Sequence, residues 1–238
     1  MRRPETGTAR TDCQAKAQEA RQRSSVYHLL ATLFAEEPSP ALISALTHGS
    51  LAEALSSVGL RLLRDAPESH EQDAADSLAL EYTRLFLGPG PHVGLYESLY
   101  RGRPESRHLW GEPAVRVKRF AEFLGLQFEA DYGGIPDHLS VELEIMRSLT
   151  RREAEAWQAG ELGAITWLLR HERRFLEEHL TRWVPRFCAR VKQRASLDFY
   201  RQASALLQQF LTVDAATVRE SLLTLKGTNL AAAAGGDA

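Results

Sequence analysis

The amino-acid sequence predicts an all-α protein, a bundle of roughly ten helices. Three observations lead to this fold class. Apolar residues recur at helical spacing along the chain, and no stretch longer than a few residues alternates apolar and polar as a half-buried strand does. Serine, proline and glycine residues also mark the helix starts and stops.

Four helices are predicted in the N-terminal part, each bounded by residues that start or stop a helix. Ser39 and Pro40 supply an N-cap and a first-turn proline, and Ser50 with Glu53 has the spacing of a capping box. A glycine follows each of the two short helices. The four predicted helices are residues 11–35, 40–49, 50–59 and 71–86.

The fourth predicted helix ends in an abrupt break. Leu78, Tyr82, Leu85 and Phe86 fall at i, i+4, i+7 and i+8, which predicts that they form its buried stripe. A Gly-Pro-Gly-Pro run follows from position 88, and neither residue type continues a helix. Residues 87–111 are therefore predicted to be irregular backbone, where binding residues gather.

Five further helices are predicted in the C-terminal part. A second irregular piece, residues 126–135, separates the first two, and the third is expected to break near Pro185. The tail after about residue 227 is predicted to be disordered. The five predicted helices are residues 113–125, 136–158, 161–183, 196–210 and 215–226.

The glycine- and proline-rich break divides the helices into two predicted blocks joined by a hinge. Residues 1–106 form the N-terminal block and carry the loop with the Tyr-Glu-Ser sequence. Residues 107–238 form the C-terminal block and carry the Pro-Asp-His helix start. A cleft between the blocks would be lined by irregular backbone from both.

Composition excludes several classes of protein. The 238 residues carry 29 Lys and Arg against 31 Asp and Glu, so no overall charge marks a nucleic-acid or membrane binder. Cys13 and Cys188 stand alone, which argues against a zinc ribbon and fits a reducing compartment. No apolar run is long enough for a membrane span, and no apolar region follows Arg2-Arg3, so export of this chain is not expected.

Two polar clusters stand out, one in each irregular segment or just after it. Glu142 follows His138 by four positions, so the two side chains share one face of the predicted helix. Asp137 falls in the first turn or at the N-cap, where the helix dipole favours negative charge. The clusters are Tyr96, Glu97, Ser98 and Tyr100, then Asp137, His138 and Glu142.

Several interpretations of these clusters remain open from the residues alone. Asp137 is either a helix cap or a binding residue, and Tyr96 and Tyr100 either pack beneath the loop or contact a ligand. His138 could act as a general base, but no Ser or Cys stands in a nucleophile context beside it. The histidines are too scattered to supply three zinc ligands, so neither a metal nor another cofactor is predicted.

Three ordered motifs resemble the signature of the TorD/DmsD family of redox-enzyme maturation chaperones. They lie at residues 81–89, 96–100 and 136–143, and the resemblance covers about residues 20–213. It implies a cytoplasmic, all-helical and non-enzymatic protein, either a monomer or a domain-swapped dimer. It also implies that the protein binds the twin-arginine signal peptide and immature catalytic subunit of a molybdopterin oxidoreductase, assisting cofactor insertion before export.

The resemblance also assigns roles to individual residues. It implies neither nucleic-acid binding nor stable membrane insertion. Carboxylates suit an arginine pair through charge-assisted hydrogen bonds, and aromatic rings suit the apolar stretch of a leader. Leu95 stands where relatives often have proline, and Leu78 where some have an acidic residue. The implied client-binding residues are Tyr96, Glu97, Ser98, Tyr100, Asp137, His138 and Glu142, and the structural motif is Tyr82, Leu85, Phe86 and Pro89.

Two other functions remain open beside this one. The first is an all-helical enzyme that uses Glu97, Asp137 and His138 as an acid/base cluster on a small substrate. The second is a chaperone of a non-exported, nitrate-reductase-like subunit, which would bind its client without recognising a leader.

Overall fold

The computed structural model describes residues 5–57, 71–88, 91–102, 108–126 and 134–234, and over these ranges the protein is all-helical, as predicted. A π-helical turn, Thr83–Leu87, extends α4, and another, Leu176–Leu180, joins α7 to α8. Glu97–Leu99 forms a short 3₁₀ helix. The α-helices are α1 (Glu5–Ala35), α2 (Pro40–Thr47), α3 (Gly49–Ser57), α4 (Glu71–Tyr82), α5 (Glu112–Phe123), α6 (Leu139–Ala159), α7 (Leu162–Phe175), α8 (Thr181–Arg194) and α9 (Asp198–Ala234).

The π-turn joins α7 and α8 into one continuous helix, so the nine named α-helices form eight helical segments in the described residues. The predicted count of roughly ten is not confirmed. One reason lies at Pro185, where the sequence predicts a break and the helix instead continues from α7 through the π-turn to Arg194. Proline lacks the N–H that bonds the carbonyl four residues earlier. Here the proline falls in the first turns after the π-turn, where the hydrogen-bonding register has already changed.

A second reason lies in α9, which runs unbroken through the predicted gap between residues 210 and 215. Asp214 sits in that gap and disfavours a helix by composition. In the structure its carboxylate accepts hydrogen bonds from the Arg23 guanidinium and from the Tyr27 hydroxyl. These buried partners on α1 therefore stabilise Asp214 within a helix, although the sequence alone predicts that the helix ends before it.

The hydrophobic core is continuous across both predicted blocks. Phe34 of α1 packs edge-on against Phe187 of α8 with 5.6 Å between ring centroids, and Phe86 packs against Tyr200 of α9 at 5.3 Å. Each such pair adds about 0.5–1.5 kcal/mol beyond the burial of its apolar area. Tyr82 also lies in this aromatic cluster, 5.0 Å from Phe86.

Helix α1 packs along α6, so the N-terminal helices and C-terminal helices share an extensive contact. The hinge between residues 1–106 and 107–238 remains a prediction. No helix in the described part of the chain is both long and apolar enough to cross a membrane.

Candidate functional site

The loop of residues 91–102 is joined by backbone hydrogen bonds to the start of α6. The Glu97 N–H donates to the Asp137 carbonyl at 3.0 Å, and the Leu139 N–H donates to the Leu95 carbonyl at 2.8 Å. These bonds form an antiparallel bridge between Tyr96 and His138, whose rings lie 5.0 Å apart. The two clusters that the sequence singles out therefore form one site.

His138 is the N-cap of α6, and the helix begins at Leu139 rather than at the predicted Pro136. Its Nδ1 accepts a hydrogen bond from the Ser140 backbone N–H at 3.2 Å, which requires an unprotonated nitrogen. Burial lowers the pKa of His138 to about 4, so the neutral ring is the form present near neutral pH. The imidazole thus has a capping role in this structure.

Asp137 caps the loop rather than α6. Its Oδ2 accepts a hydrogen bond from the Ser98 backbone N–H at 2.7 Å, in the first turn of the 3₁₀ helix. Asp137 is fully buried, and its Oδ1 has no hydrogen-bond partner within the described residues. Burial raises the pKa of this carboxyl group, while the Ser98 N–H opposes that rise.

Glu97 is buried beneath the loop and holds two charged or polar partners. Arg101 donates to its Oε1 at 2.9 Å, and His179 donates from Nδ1 to its Oε2 at 2.7 Å. His179 belongs to the π-turn before α8, and Arg101 also donates to the carbonyl of Glu178 at 2.9 Å. Glu97 therefore fastens the loop to the π-turn.

Glu142 lies on α6 beside Glu97 and is completely buried. The Trp183 indole N–H donates to its Oε2 at 3.1 Å, whereas its Oε1 has no hydrogen-bond partner within the described residues. Burial first, and then the negative charge of Glu97, raise the pKa of Glu142 well above its ordinary value. Both effects favour the protonated form of this carboxyl group.

Tyr100 is buried, while Tyr96 is half-buried. The Tyr100 hydroxyl donates to the Gly94 carbonyl at 2.8 Å, and its ring lies 5.3 Å from that of Trp183. Burial raises the pKa of this hydroxyl to about 12. Tyr100 thus packs beneath the loop, one of its two predicted alternatives, and Ser98 is buried beside it.

Three buried side chains could supply metal ligands. Glu97, Glu142 and His179 each offer a donor atom, and these atoms all lie within 4.8 Å of one another. Such ligand types suit zinc. A divalent cation would nevertheless have to compete with the Arg101 guanidinium on Glu97, so the arrangement favours a hydrogen-bonded network.

Among the described residues, the side chains of the acid/base cluster proposed for an enzyme form no hydrogen bonds with one another. Glu97 pairs with His179 and Arg101, Asp137 binds the Ser98 N–H, and His138 caps α6. Each group already has a structural partner. The arrangement leaves no general base paired with a nucleophile.

A different surface, which we call the α4 groove, exposes both carboxylates and apolar side chains. It is open, has a volume of about 630 Å³, and is lined by Glu37, Asp76, Leu80 and Thr83, among others. Leu80 is 73% exposed, and Leu87 at the end of the π-turn is 61% exposed. Arg84 also borders the groove, but its guanidinium is paired with the buried carboxylate of Glu81.

The sequence contained a signal for this groove. Asp76, Leu80, Thr83 and Leu87 follow one another at i, i+4, i+7 and i+11, so they lie on one face of the helix. That face is opposite the buried stripe that begins at Leu78. Leu80 and Leu87 lie outside the buried stripe, which is already complete without them, and this indicates an exposed apolar surface. The sequence analysis did not identify this second stripe.

Pro89 of the predicted structural motif lies outside the described residues. The other three members, Tyr82, Leu85 and Phe86, are buried in the aromatic core at the end of α4 and in its π-turn. The motif is joined directly to the loop of residues 91–102, because the Val93 N–H donates to the Leu85 carbonyl at 2.7 Å.

Comparison with known proteins gives consistent matches. Residues 44–189 match the family described as nitrate reductase delta subunit. A "Chaperone protein TorD" of Aeromonas salmonicida is 31% identical over 203 residues, which cover 81% of this chain and 89% of that protein. One of Vibrio parahaemolyticus is 26% identical over 205 residues, covering 82% and 93% respectively.

Proposed function

The chain belongs to the nitrate reductase delta subunit family of TorD-type chaperones and is not an enzyme, and from this premise we propose its client and its leader-binding surface. The client is the immature catalytic subunit of a molybdopterin oxidoreductase. The chaperone binds the twin-arginine signal peptide of that subunit in the cytoplasm and holds the subunit until its cofactor has been inserted. Export follows release.

The α4 groove is the observation that carries this proposal. A twin-arginine leader combines two adjacent arginines with an apolar stretch. The groove combines the exposed carboxylates of Glu37 and Asp76 with the exposed side chain of Leu80. The exposed Leu87 stands next in the chain to Gly88, which also lines the groove. Charge-assisted hydrogen bonds would hold the arginines, and the leucines would cover the apolar stretch.

The seven residues implied by the family resemblance remain part of the proposal, in two roles. Tyr96 and His138 are partly exposed and can contact a client directly. The carboxylates of Glu97, Asp137 and Glu142 reach no solvent in this conformation, so they contact a leader only if the loop moves away from α6. Without that movement they brace the loop, together with Ser98 and Tyr100.

Calorimetric titration tests both roles. The probe is the leader of a molybdopterin oxidoreductase that co-purifies with this chain, in its native form and with Lys-Lys in place of Arg-Arg. The double variant Glu37→Gln/Asp76→Asn should bind the native leader about tenfold or more weakly than wild type. A factor of ten corresponds to about 1.4 kcal/mol. Leu80→Ser/Leu87→Ser should have an effect of similar size.

Matched controls come from α9. Glu220→Gln removes an exposed carboxylate, and Leu223→Ser removes a leucine that is 62% exposed, both outside the groove. Neither should change the affinity. If Asp137→Asn abolishes leader binding with an unchanged melting temperature while the α4 variants bind normally, the leader binds at the loop and the α4 assignment is wrong.

The family description also favours a second candidate, a chaperone of a non-exported, nitrate-reductase-like subunit. Co-purification of the client with and without its leader separates the two. Undiminished binding of a leaderless client, with no measurable binding of the isolated leader, would favour the second candidate.

A further inference from the structure

A second groove lies between α5 and α7 on a surface that the proposed leader site does not use. It has a volume of about 370 Å³. Three arginines and one glutamate line it together with aromatic side chains, and we call it the arginine–aromatic groove. Its lining residues are Arg116, Arg119, Phe120, Phe123, Arg174, Glu178 and His179.

Exposed rings continue from this groove along the two helices. Phe123 on α5 is 61% exposed and Trp167 on α7 is 40% exposed, with 6.1 Å between their ring centroids. His171 stacks on Phe123 at 5.3 Å and lies 4.0 Å from Trp167. Single exposed apolar residues are ordinary, but three adjacent rings on two helices form a continuous aromatic surface.

The positive charge of the groove is only partly neutralised. Arg116 pairs with Glu112 at 2.5 Å, and Arg174 pairs with Glu178 at 3.1 Å, both on the exposed surface. Arg119 forms no ion pair with any residue that the structure describes. Arginine and tryptophan are the residue types that most often dominate binding energy at protein interfaces.

We propose that the arginine–aromatic groove binds an acidic segment of the client, outside its leader, that also carries aromatic or apolar side chains. Carboxylates of such a segment would pair with Arg119 and its neighbours, and its rings would pack on Phe123 and Trp167. The arginine pair of a leader would be repelled here, whereas it is attracted to the acidic α4 groove. The identity of this partner, but not its chemistry, rests on the proposed function.

A client that places its leader in the α4 groove and its acidic segment in the arginine–aromatic groove would bind the chaperone at two sites. Binding at one groove raises the effective concentration of the second segment at the other groove, so two weak contacts can hold a client firmly. Release of either segment then lowers the affinity of the whole complex.

The test uses three short synthetic peptides and the full-length chain at physiological ionic strength. The first peptide alternates Asp and Glu with Phe and Leu. The second has the same carboxylates with Ser in place of Phe and Leu, and the third has Lys in place of Asp and Glu. Calorimetry should detect saturable binding of the first peptide and none of the other two.

Variants locate the binding. Arg119→Glu and Phe123→Ser should each weaken binding of the first peptide about tenfold or more. The matched controls are Arg219→Glu and Leu223→Ser on α9, which change an exposed arginine and an equally exposed apolar residue outside the groove. All four changes are at exposed positions, and circular dichroism should show an unchanged helical spectrum for each.

Several outcomes would overturn the inference. It fails if the wild-type chain does not bind the first peptide, if the Ser peptide binds equally well, or if the α9 variants weaken binding as much as the groove variants do. A shift from dimer to monomer in Arg119→Glu, measured by light scattering, would instead assign the face to contact between copies. A chain that binds the leader but not this peptide overturns this inference alone, and the reverse result overturns only the proposed leader binding.

Discussion

Glu142 illustrates at the residue scale how burial decides the charge of a side chain. Its carboxyl group lies in the core beside another carboxylate, with a single indole N–H as its donor. The protonated form avoids both the loss of hydration and the repulsion from Glu97. Burial and this repulsion therefore both favour the binding of a proton by Glu142.

Glu142→Gln should therefore be tolerated, with a free energy of unfolding within about 1 kcal/mol of wild type at acidic pH, where both side chains are uncharged. Because the folded-state pKa of Glu142 is raised, its contribution to stability is fully present below the unfolded-state pKa and is lost as pH rises toward the folded-state value. The variant should thus gain stability relative to wild type as pH rises above about 4.3, the ordinary pKa of glutamate. Urea denaturation at a series of pH values above it measures the difference, and a parallel pH dependence of the two proteins would contradict the raised pKa of Glu142.

His138 gives a second prediction at this scale, with the opposite sign. Its pKa is lowered, so its contribution is present above the ordinary value and is lost as pH falls toward about 4. His138→Ala should cost about 1 kcal/mol through loss of the cap, whereas His138→Asn keeps an acceptor and should cost less. Thermal melts between pH 4 and pH 7 provide the test. His138→Asn should become more stable relative to wild type as pH falls, because asparagine does not titrate. An unchanged difference between the two proteins across this range would contradict the neutral, capping form of His138.

Sequence reasoning singled out two clusters that lie side by side in the structure, but it did not determine what each side chain does. A helix cap was one of the two interpretations of Asp137, since aspartate is a common cap, yet its side chain binds the Ser98 N–H of the loop. This choice depends on a contact between residues 39 positions apart. Spacing within one helix carries no information about such a contact.

The π-turn between α7 and α8 sets the geometry of the site at the element scale. Its altered register leaves backbone carbonyls that take side-chain donors. The Thr181 hydroxyl donates to the Leu176 carbonyl at 2.8 Å, Arg182 donates to that of Glu177 at 2.9 Å, and Arg101 donates to that of Glu178. These bonds hold His179 where it meets Glu97.

Arg101→Met should loosen the loop because it removes both the bond to this π-turn and the ion pair with Glu97. The side chain is partly exposed, so we expect a loss of about 1–2 kcal/mol of stability rather than the full value of a buried pair. Hydrogen exchange should show faster exchange of the loop amides with little change in α6. Unaltered protection of the amide at 97 would show that Arg101 does not fasten the loop.

Helix type and periodicity were predictable because each needs only a local pattern. The amphipathic stripe from Leu78 to Phe86 is buried as expected. The continuity of α8 through Pro185 and of α9 through Asp214 was not predictable, because a π-turn and the buried partner of Asp214 override the local preference of these two residues. Both exceptions arise from tertiary contacts.

A buried charge network joins four helices at the scale of the whole molecule. The Arg23 guanidinium of α1 donates to Glu153 of α6 at 2.6 Å, to Glu172 of α7 and to Asp214 of α9. Three carboxylates outnumber one guanidinium, and burial raises the pKa of Glu172 well above its ordinary value. The network crosses the predicted boundary between residues 106 and 107.

Arg23→Met should destabilise the protein by about 3–5 kcal/mol, because it leaves buried carboxylates without their cation. Arg23→Lys keeps the charge but cannot donate in three directions, so it should fall between wild type and Arg23→Met. Urea denaturation provides the comparison, with Arg219→Met as the exposed control. Equal stability of Arg23→Met and wild type would contradict this account of the network.

The same network bears on the oligomeric states that the sequence predicts. In a domain-swapped dimer, α1 of one chain would meet α6, α7 and α9 of the other, so Arg23 would keep its partners. Monomer and swapped dimer would then contain the same buried contacts. Their balance would depend on protein concentration and on the strain in the connecting segment.

Because the exposed α4 groove is separate from the buried loop motif, the two surfaces can change independently during evolution. With the leader bound at the α4 groove as we propose, a substitution at Asp76 or Leu80 would alter which leader fits and would remove no core contact. A change at Glu97 or Asp137 would instead disturb the bundle itself. After gene duplication, one copy could therefore acquire a new client through a few surface changes. Engineered retargeting of this chaperone should begin at the same exposed positions.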